Sequence, residues 1–199
     1  RNISLSIQKG EFVGLIGRNG AGKTTLMRSI MGLLPANSGD IYCINESIKK
    51  LQNHQIPNLG IGYMPEDRRL VPNLTVKENI FLPAWANKIK DSNSKLEKIL
   101  NYIPEIKVFI NRKGLELSGG QQKLAALARA LMIGDKLLLL DEPFEGVAPV
   151  LANRLLEVIS TLKNSGLSIL LSESDLTHSK KIIDRTYKID RGEINTLNG

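Results

Sequence analysis

Residues 17–24 have the types and spacing of a phosphate-binding loop: a glycine, four further residues, a second glycine, a lysine and a threonine. The glycines let the backbone curl so that successive N–H groups face phosphate oxygens, and the positive end of a following helix adds to the attraction. Lys23 can neutralise the outer phosphates, and the Thr24 hydroxyl can bind Mg²⁺. The predicted nucleotide contacts are Gly17, Arg18, Asn19, Gly20, Ala21, Gly22, Lys23, Thr24 and Thr25.

A pair of carboxylates follows an aliphatic run much further along the chain. Residues 137–140 are all leucine, and Asp141 and Glu142 come directly after them. A buried strand of this kind would deliver both carboxylates to the sheet edge that carries the glycine loop. Asp141 would hold Mg²⁺ through water, and Glu142 could orient or deprotonate an attacking water. A buried strand followed by an acidic turn is common, so the pair alone is weak evidence for a nucleotide site. The glycine loop in the same chain makes that interpretation the favoured one.

Two glycines at the start of a predicted helix form a third candidate. Ser118 and Gln121 have the spacing of a capping box, which alone would explain why a helix begins here. Capping does not explain Gly119 and Gly120, because a glycine inside a helix costs about 1 kcal/mol relative to alanine. They would, however, let an anion approach exposed N–H groups closely. Ser118, Gly119 and Gly120 are therefore predicted to make a second phosphate contact.

Length and composition are those of one globular domain. The chain has 199 residues, of which 42% are hydrophobic and 24% charged, close to the averages for such domains. Cys43 is the only cysteine, so no intramolecular disulfide can form and a reducing compartment is the simpler assumption. The net charge is 27 − 20 = +7. Because these charges are scattered and aromatic residues are few, no nucleic-acid partner is expected.

The elements that must position these residues alternate between strands and helices, which predicts an α/β fold with a mostly parallel sheet. An antiparallel β-hairpin is expected at the N-terminus, with strands at 2–8 and 11–16 and a turn at Lys9 and Gly10. The stretch from about residue 72 to 117 carries three prolines and helical spacing, and it is predicted to be a mainly helical insertion. Further strands are predicted at 40–44, 60–64, 137–141, 168–172 and 186–189, and a helix at 24–31.

The three motifs, in this order and spacing, resemble the ATP-binding cassette (ABC) family of P-loop NTPases over essentially the whole chain. In that family two cassettes pair head to tail, and each ATP is held between one glycine loop and the signature motif of the partner. The resemblance implies that Ser118, Gly119 and Gly120 contact the γ-phosphate of ATP bound to the other protomer. It also implies that Lys23 and Mg²⁺ stabilise the phosphoryl group in transfer.

The resemblance implies a single nucleotide-binding domain over residues 1–199. A RecA-like core would comprise residues 1–71 and 118–199, and a helical subdomain about 72–117. Relatives carry an aromatic residue that stacks on adenine in a strand that would precede Asn2, and they extend beyond Gly199. We therefore expect the first strand or strands and the C-terminal end of the domain to lie outside this sequence.

Two segments resemble the cassettes of branched-chain amino acid importers more closely. The first comprises residues 60–69 and 74–79, and the second comprises residues 141–149. In most of the family a glutamine after the strand near Tyr63 contacts Mg²⁺ and the attacking water. Glu66 takes that position here, as is usual in this subgroup. The Mg²⁺ site implied by the resemblance therefore comprises Thr24, Asp141 and Glu66. The alternative is that Glu66 is an exposed loop carboxylate.

The chain departs from the family pattern at Ser174. In most of the family the corresponding strand ends at a histidine that touches the γ-phosphate, ten residues before an aspartate that matches Asp184. The branched-chain subgroup often has glutamine there, but serine is shorter and a weaker donor, which would slow hydrolysis. His178 lies one helical turn further on and is expected at the surface, where it is a poor substitute. The residues implied in the reaction are Lys23, Glu66, Glu142 and Ser174.

The resemblance implies an ATP- and Mg²⁺-dependent subunit of an importer for branched-chain or related amino acids, at the cytoplasmic face of the cell membrane. Its implied partners are a second cassette, identical or related, transmembrane permease subunits and, indirectly, an extracytoplasmic substrate-binding protein. A short permease helix would dock beside the Glu66 loop on a group of apolar residues: Leu70, Val71, Leu74, Ile80, Phe81 and Trp85. The alternative is that these residues form the core of the insertion, which we expect for about half of them.

Two other functions fit the same motifs. One is a soluble cassette ATPase that works on nucleic acid or ribosomes, against which the modest, scattered charge weighs. The other is a nucleotide-gated regulatory subunit that binds ATP but scarcely hydrolyses it. Ser174 favours that second alternative, and the presence of Glu142 opposes it.

Overall fold

The computed structural model describes residues 3–197 of the chain. Within them, one six-stranded sheet and one two-stranded sheet are formed. The strands are β1 (Phe12–Ile16), β2 (Tyr42–Cys43), β3 (Glu46–Ser47), β4 (Ile61–Met64), β5 (Leu137–Asp141), β6 (Ser168–Glu173), β7 (Arg185–Asp190) and β8 (Glu193–Leu197). The α-helices are α1 (Lys23–Ile30), α2 (Val76–Ala86), α3 (Ser92–Tyr102), α4 (Ile106–Phe109), α5 (Gly119–Leu131) and α6 (Pro149–Lys163). Over the described residues, none of these helices is both long and apolar enough to span a bilayer.

The large sheet has the strand order β4-β5-β6-β1-β7-β8, and every neighbouring pair except β7 and β8 is parallel. The α/β fold with a mostly parallel sheet is therefore confirmed. The leucine run explains why β5 takes an interior place: Leu138, Leu139 and Leu140 are all fully buried. An interior parallel strand is covered on both faces, so continuous apolar residues rather than alternating ones are expected there.

The fold includes a small antiparallel hairpin, but it does not lie where the sequence predicts it. Residues 3–8 form no strand, and Asn2 lies outside the described residues. The predicted turn is present, because Gly10 has φ +75° and the Glu11 N–H donates to the Gln8 carbonyl at 3.0 Å. No ladder follows it, since β1 is already paired with β6 on one side and β7 on the other. Both rows of its backbone groups are therefore used.

The hairpin that does form joins β2 and β3. Tyr42 lies opposite Ser47, and Cys43 lies opposite Glu46. The connecting residues Ile44 and Asn45 both have positive φ, +49° and +64°, as the favoured two-residue hairpin turn requires. Isoleucine is a poor residue for that conformation, which is why residues 40–44 predicted a single strand instead.

The three helices α2, α3 and α4 lie within residues 72–117, the stretch predicted to be mainly helical. Helix α2 begins at a capping box in which the Thr75 hydroxyl accepts from the Glu78 N–H and the Glu78 carboxylate accepts from the Thr75 N–H. These helices bury apolar residues in one cluster with α5 and the sheet, including Ile80, Ile106 and Leu124. The division of the chain into a core and a helical subdomain stays a prediction.

Candidate active site at the carboxyl edge of the sheet

The carboxyl ends of four neighbouring strands meet at one edge of the sheet. Strands β4, β5, β6 and β1 are adjacent and parallel. The sequence therefore places Glu66 after β4, Asp141 and Glu142 at the end of β5, Ser174 after β6 and the glycine loop after β1. Ligands of open α/β sheets bind at this edge, so the fold assembles the candidate residues that are far apart in sequence.

The glycine loop runs from β1 into α1 with backbone angles that favour glycine. Gly20 has φ +79°, and Gly22, which caps α1, has φ +111°. Gly17 is needed for a different reason, because a Cβ there would lie only 2.4 Å from the Ile189 carbonyl oxygen on β7. The loop can therefore pack against β7 and still turn its backbone N–H groups toward a bound anion.

Lys23 connects the loop to the carboxylate pair. Its side chain is only 4% exposed, and its ammonium donates to the carbonyls of Gly17 and Arg18, at 2.5 and 3.2 Å. It also forms an ion pair with Glu142, with 2.9 Å between Nζ and Oε1. Two residues 119 positions apart in sequence, 142 − 23, are thus in direct contact.

Asp141 is fully buried and held by two hydroxyl groups. The Ser172 hydroxyl donates to Oδ1 at 2.7 Å, and the Tyr63 hydroxyl donates to Oδ2 at 3.2 Å. Burial and the charge of Asp141 raise the pKa of Tyr63 well above its usual value, so the phenol stays a proton donor. A carboxylate beside the first turn of α1, where Thr24 carries a hydroxyl, offers the oxygen ligands that Mg²⁺ prefers.

Glu142 stands in a strained backbone conformation, with φ +49° and 7% of its surface exposed. Its N–H donates to the carbonyl and to the hydroxyl of Ser172, at 3.2 and 3.1 Å. Its carbonyl accepts from the buried Lys123 ammonium at 2.9 Å. Strain of this kind persists only where the surroundings hold it, and it is concentrated at functional sites.

A cavity of about 290 Å³ opens beside this turn. Glu142, Glu173, Ser174 and His178 all contribute to its wall. Burial raises the pKa of Glu173 to about 7, against the effect of a hydrogen bond from the Ser179 hydroxyl to its carboxylate. The nearby charges of Asp175 and Glu142 add to the increase.

Ser174 and His178 share that cavity, which changes the expectation for the histidine. Ser174 is exposed on the cavity wall. His178 was expected at the surface, but it is half-buried, with its ring centroid 5.3 Å from that of Phe144, two residues after Glu142. The structure therefore brings an imidazole to the cavity that Ser174 lines, although the chain has no histidine at position 174 itself.

Glu66 is not joined to the other candidate residues. Its side chain is exposed, and among the described residues no hydrogen bond links it to Thr24 or Asp141. The loop that follows has Arg68 and Arg69 at positive φ, +62° and +48°. Arg129 of α5 donates to the carbonyls of both residues, at 2.5 and 2.6 Å, so this loop is anchored through its backbone.

Residues 118–120 lie at the start of α5. The Ser118 hydroxyl accepts from the Gln121 N–H, and the Gln121 side chain accepts from the Ser118 N–H, so the capping box is formed. Ser118 and Gly119 are exposed. Over the described part of the chain, no hydrogen bond joins residues 118–120 to the glycine loop. The structure therefore brings Lys23, Asp141 and Glu142 together and leaves the Ser118 segment facing outward.

Four residues around the carboxylates were not among the sequence candidates: Tyr63, Lys123, Ser172 and Glu173. Polar residues in apolar strands were a visible signal for three of them, because Ser172 and Glu173 end a run of aliphatic residues and Tyr63 lies in β4. Lys123 carried a weaker signal, a charged residue at a position that α5 buries.

Fold and site together define a P-loop protein that hydrolyses a nucleotide. The ABC transporter family model matches residues 1–145 of the chain. The chain belongs to the ABC transporter family and is one of its ATP-hydrolysing cassettes.

The named relatives are all ATP-binding proteins of transport systems, but the systems differ in their substrates. The chain is 36% identical to the high-affinity branched-chain amino acid transport ATP-binding protein BraG of Pseudomonas aeruginosa, over 97% of this chain and 83% of BraG. It is 34% identical to the lipopolysaccharide export system ATP-binding protein LptB of Haemophilus influenzae, over 97% of this chain and 81% of LptB.

Solved structures match the same fold. An ATP-binding cassette dimer in a post-hydrolysis state, bound to ADP and Pi, superposes with a TM-score of 0.88 at 26% identity, over 100% of this chain and 90% of that chain. A nucleotide-free cassette from an ABC transporter gives a TM-score of 0.82 at 31% identity, over 99% of this chain and 84% of that chain.

Proposed function

We propose that the carboxyl edge of the sheet hydrolyses ATP with Glu142 as the general base. The contact between Lys23 and Glu142, directly beside the buried Asp141, carries this proposal. Glu142 takes a proton from water as the water oxygen bonds to the γ-phosphorus, and the bond from that phosphorus to the β–γ bridging oxygen breaks to release ADP. The γ-phosphate gives the Lys23 ammonium an anionic partner other than Glu142, which frees the carboxylate to act on water.

The same residues fit a magnesium ion. Asp141 supplies a buried carboxylate whose orientation is held by Ser172 and Tyr63, and Thr24 supplies a hydroxyl from the first turn of α1. When bound, Mg²⁺ would neutralise phosphate charge. Glu66 would join this site only after a movement of its loop, because its side chain is exposed and has no hydrogen bond to Asp141 or Thr24 among the described residues.

A second cassette would complete the site. Residues 118–120 are at the surface at the start of α5, where backbone N–H groups can meet an anion. The solved cassette that is dimeric in its ADP- and Pi-bound state supports pairing with a second cassette, and we propose that the two pair head to tail. In that arrangement Ser118, Gly119 and Gly120 of each protomer would contact the γ-phosphate held by the Lys23 of the other.

The surface beside the Glu66 loop would receive a membrane permease. Trp85 and Val71 are 56% and 40% exposed, whereas Ile80 and Phe81 are buried in the core. Trp85 stacks on Phe81 with 5.9 Å between ring centroids, so the core supports an exposed aromatic side chain. Through this contact the chain would lie at the cytoplasmic face of the membrane, and nucleotide-driven movement of the loop would reach the permease.

The transported substrate is proposed to be a branched-chain or related amino acid. The similarity to BraG supports it, and an importer of this kind would take its substrate from an extracytoplasmic binding protein. The similarity to LptB, at nearly the same identity, supports a second candidate, export of a lipopolysaccharide.

Partner identification tests the transport assignment. The full-length protein is purified from detergent-solubilised membranes of its source, and its stoichiometric partners are identified by mass spectrometry. A permease supports the proposal, whereas recovery only from the soluble fraction, with ribosomes or nucleic acid, overturns it. The complex is then reconstituted in proteoliposomes: ATP-dependent leucine uptake supports import of amino acids, and extraction of lipopolysaccharide supports the second candidate. A complex with Glu142→Gln is the matched control.

A further inference from the structure

Lys123 is a buried cation whose partners are backbone carbonyls. It lies in α5, is 1% exposed, and its ammonium donates to the carbonyls of Glu142 and Pro143 at 2.9 and 3.0 Å. A charge buried in this way is costly unless it is hydrogen-bonded. These two bonds therefore account for its position, and they run to the peptide groups that directly follow the proposed base.

The groups around Lys123 come from several elements. Burial lowers the pKa of Lys123 to about 8, and the nearby positive charge of Arg68 lowers it further, while the carboxylates of Glu145, Glu66 and Glu142 act in the opposite direction. Near neutral pH Lys123 remains charged, which strengthens its hydrogen bonds to the two carbonyls.

Lys123 fixes one side of a strained residue whose other side is fixed by β6. The Glu142 N–H is bonded to Ser172, and the Glu142 carbonyl is bonded to Lys123. Both peptide groups that flank the Glu142 Cα are therefore held, at a φ of +49°. A non-glycine residue in the left-handed region is strained, so loss of one partner lets the turn relax and moves the carboxylate away from Lys23.

Lys123 also joins this turn to the segment proposed to contact ATP in the other cassette. Helix α5 begins at Gly119, and Lys123 lies about one turn further along the same helix. Helix α5 buries Leu124, Ala125, Leu127 and Ala128 in the core, and its backbone hydrogen bonds tie residues 119–123 into one turn. A displacement of residues 118–120 therefore reaches the Glu142 backbone through one side chain.

We propose that Lys123 is a positioning residue that holds the Glu142 turn in its reactive conformation and couples it to residues 118–120 of the same chain. The inference rests on the proposed role of Glu142. It adds a physical connection between the two ATP sites of a cassette dimer, since the helix whose start would contact one ATP is hydrogen-bonded, through Lys123, to the backbone of the base that acts on the other.

The test compares kcat with ATP affinity in the purified full-length protein. Lys123→Met keeps the length and apolar stem of the side chain but removes its donors, and it should lower kcat at least tenfold while the Kd for a fluorescent ATP analogue changes less than twofold. Lys123→Gln, whose amide is one bond shorter, should fall between Lys123→Met and the wild type. Lys163→Met is the matched control, because Lys163 also donates to a backbone carbonyl, that of Ile182, and to the Asp184 carboxylate. Asp184 accepts from the Phe12 N–H at the amino end of β1, the end of the sheet opposite the candidate site. Lys163→Met should leave kcat unchanged.

A double mutant distinguishes action through Glu142 from general loosening. Glu142→Gln with Lys123→Met should show the same residual single-turnover rate as Glu142→Gln alone, because the positioned group is already gone. A kcat of Lys123→Met within twofold of the wild type overturns the inference, and so does a parallel loss of ATP affinity. If Lys123→Met does not fold, the same limits apply to Lys123→Gln. Full turnover in Glu142→Gln would instead overturn the proposed base, so the two failures differ.

Discussion

The turn at Asp141 and Glu142 and the loop around Glu66 follow neighbouring parallel strands, yet they are built in opposite ways. Asp141 is fully buried and Glu142 is 7% exposed. The side chains of Ser172 and Tyr63 donate to Asp141. The Glu142 backbone is bonded to the side chains of Ser172 and Lys123. The Glu142 carboxylate forms an ion pair with Lys23. The Glu66 side chain is exposed, and its loop is anchored to α5 through backbone carbonyls.

This difference suits the two regions to different roles: the buried turn to the hydrolysis reaction, and the exposed loop to its regulation by other chains. Groups that stabilise charge in a reaction work best when they are already oriented and excluded from water, and the buried turn has both properties. Parts of a molecule that respond to a ligand or partner come from its less stable regions. The exposed Glu66 loop and residues 118–120 are therefore suited to contacts with other chains, and mutations in the two regions should have different consequences.

The largest effect on stability is expected at Glu173, in the buried region. Its carboxyl has a folded pKa of about 7 and an ordinary value of 4.5, so between these pH values the folded chain binds more protons than the unfolded chain. The free energy of unfolding should therefore fall as pH rises from about 4.5 to 7, by up to about 3 kcal/mol. Urea unfolding of the wild type and Glu173→Gln at pH 4.5, 6 and 8 measures this.

Glu173→Gln should lack this share of the pH dependence and should be the more stable protein at pH 8. Glu157→Gln is the control, because Glu157 is an exposed carboxylate on α6, and its curve should follow that of the wild type. Parallel curves for the wild type and Glu173→Gln would contradict the predicted protonation.

The next effect is expected at Ser172, which touches both carboxylate residues. Ser172→Ala removes the donor to Asp141 and one acceptor of the Glu142 N–H. Asp141 keeps its bond from Tyr63, and the Glu142 N–H keeps the Ser172 carbonyl, so each group loses one of its two partners. A loss of about 1.5 kcal/mol, the scale of one hydrogen bond to a charged group, lowers kcat about tenfold. Ser168→Ala is a control on the same strand, because the Ser168 hydroxyl bonds to Gln8 and Gly10 at the opposite end of β6. Equal kcat in the two variants would contradict the positioning role of Ser172.

A smaller effect, and a gain, is expected at Ser174 on the cavity wall. Ser174→His would add a longer donor toward the γ-phosphate, and the rate of ATP hydrolysis should rise, by about threefold for a modest stabilisation of the transition state. Steady-state ATPase assays of the wild type, Ser174→His and His178→Ala measure it. An unchanged rate in Ser174→His together with a loss in His178→Ala would mean that His178 already serves this cavity.

The smallest effect is expected in the exposed region. Glu66→Ala should change the free energy of unfolding by less than about 0.5 kcal/mol, as is usual for surface positions, because the Glu66 side chain makes no hydrogen bond in the described part of the chain. Urea unfolding beside Asp141→Ala gives the contrast. A loss above 1 kcal/mol in Glu66→Ala would mean that the two regions are equally well packed.

Much of the fold could be predicted from periodicity and turn residues. The strand ranges at 60–64, 137–141 and 168–172 agree with β4, β5 and β6 to within about one residue. The N-terminal hairpin was placed wrongly because local alternation says nothing about which strands will occupy the two sides of β1. Those partners, β6 and β7, come from residues more than 150 positions further along the chain.

The candidate site was predictable in its residue types but not in its supporting contacts. Lys23, Asp141 and Glu142 belong to local motifs whose chemistry requires particular residues, so their spacing alone indicated a nucleotide site. Lys123 and Ser172 act through backbone carbonyls, a backbone N–H and a buried carboxylate of another segment. Such contacts depend on how α5 and β6 pack beside β5, which no local pattern encodes.

The most direct test of the account is the hydrolysis of Mg-ATP by the full-length protein and its Glu142→Gln variant, measured together with ATP binding. If Glu142 is the base in a preformed site, Glu142→Gln should bind ATP within about threefold of the wild type and lose at least about 10³-fold in turnover, the scale expected for loss of a catalytic group. Turnover at the wild-type rate in Glu142→Gln would contradict the account, because the buried turn would then not carry the chemistry.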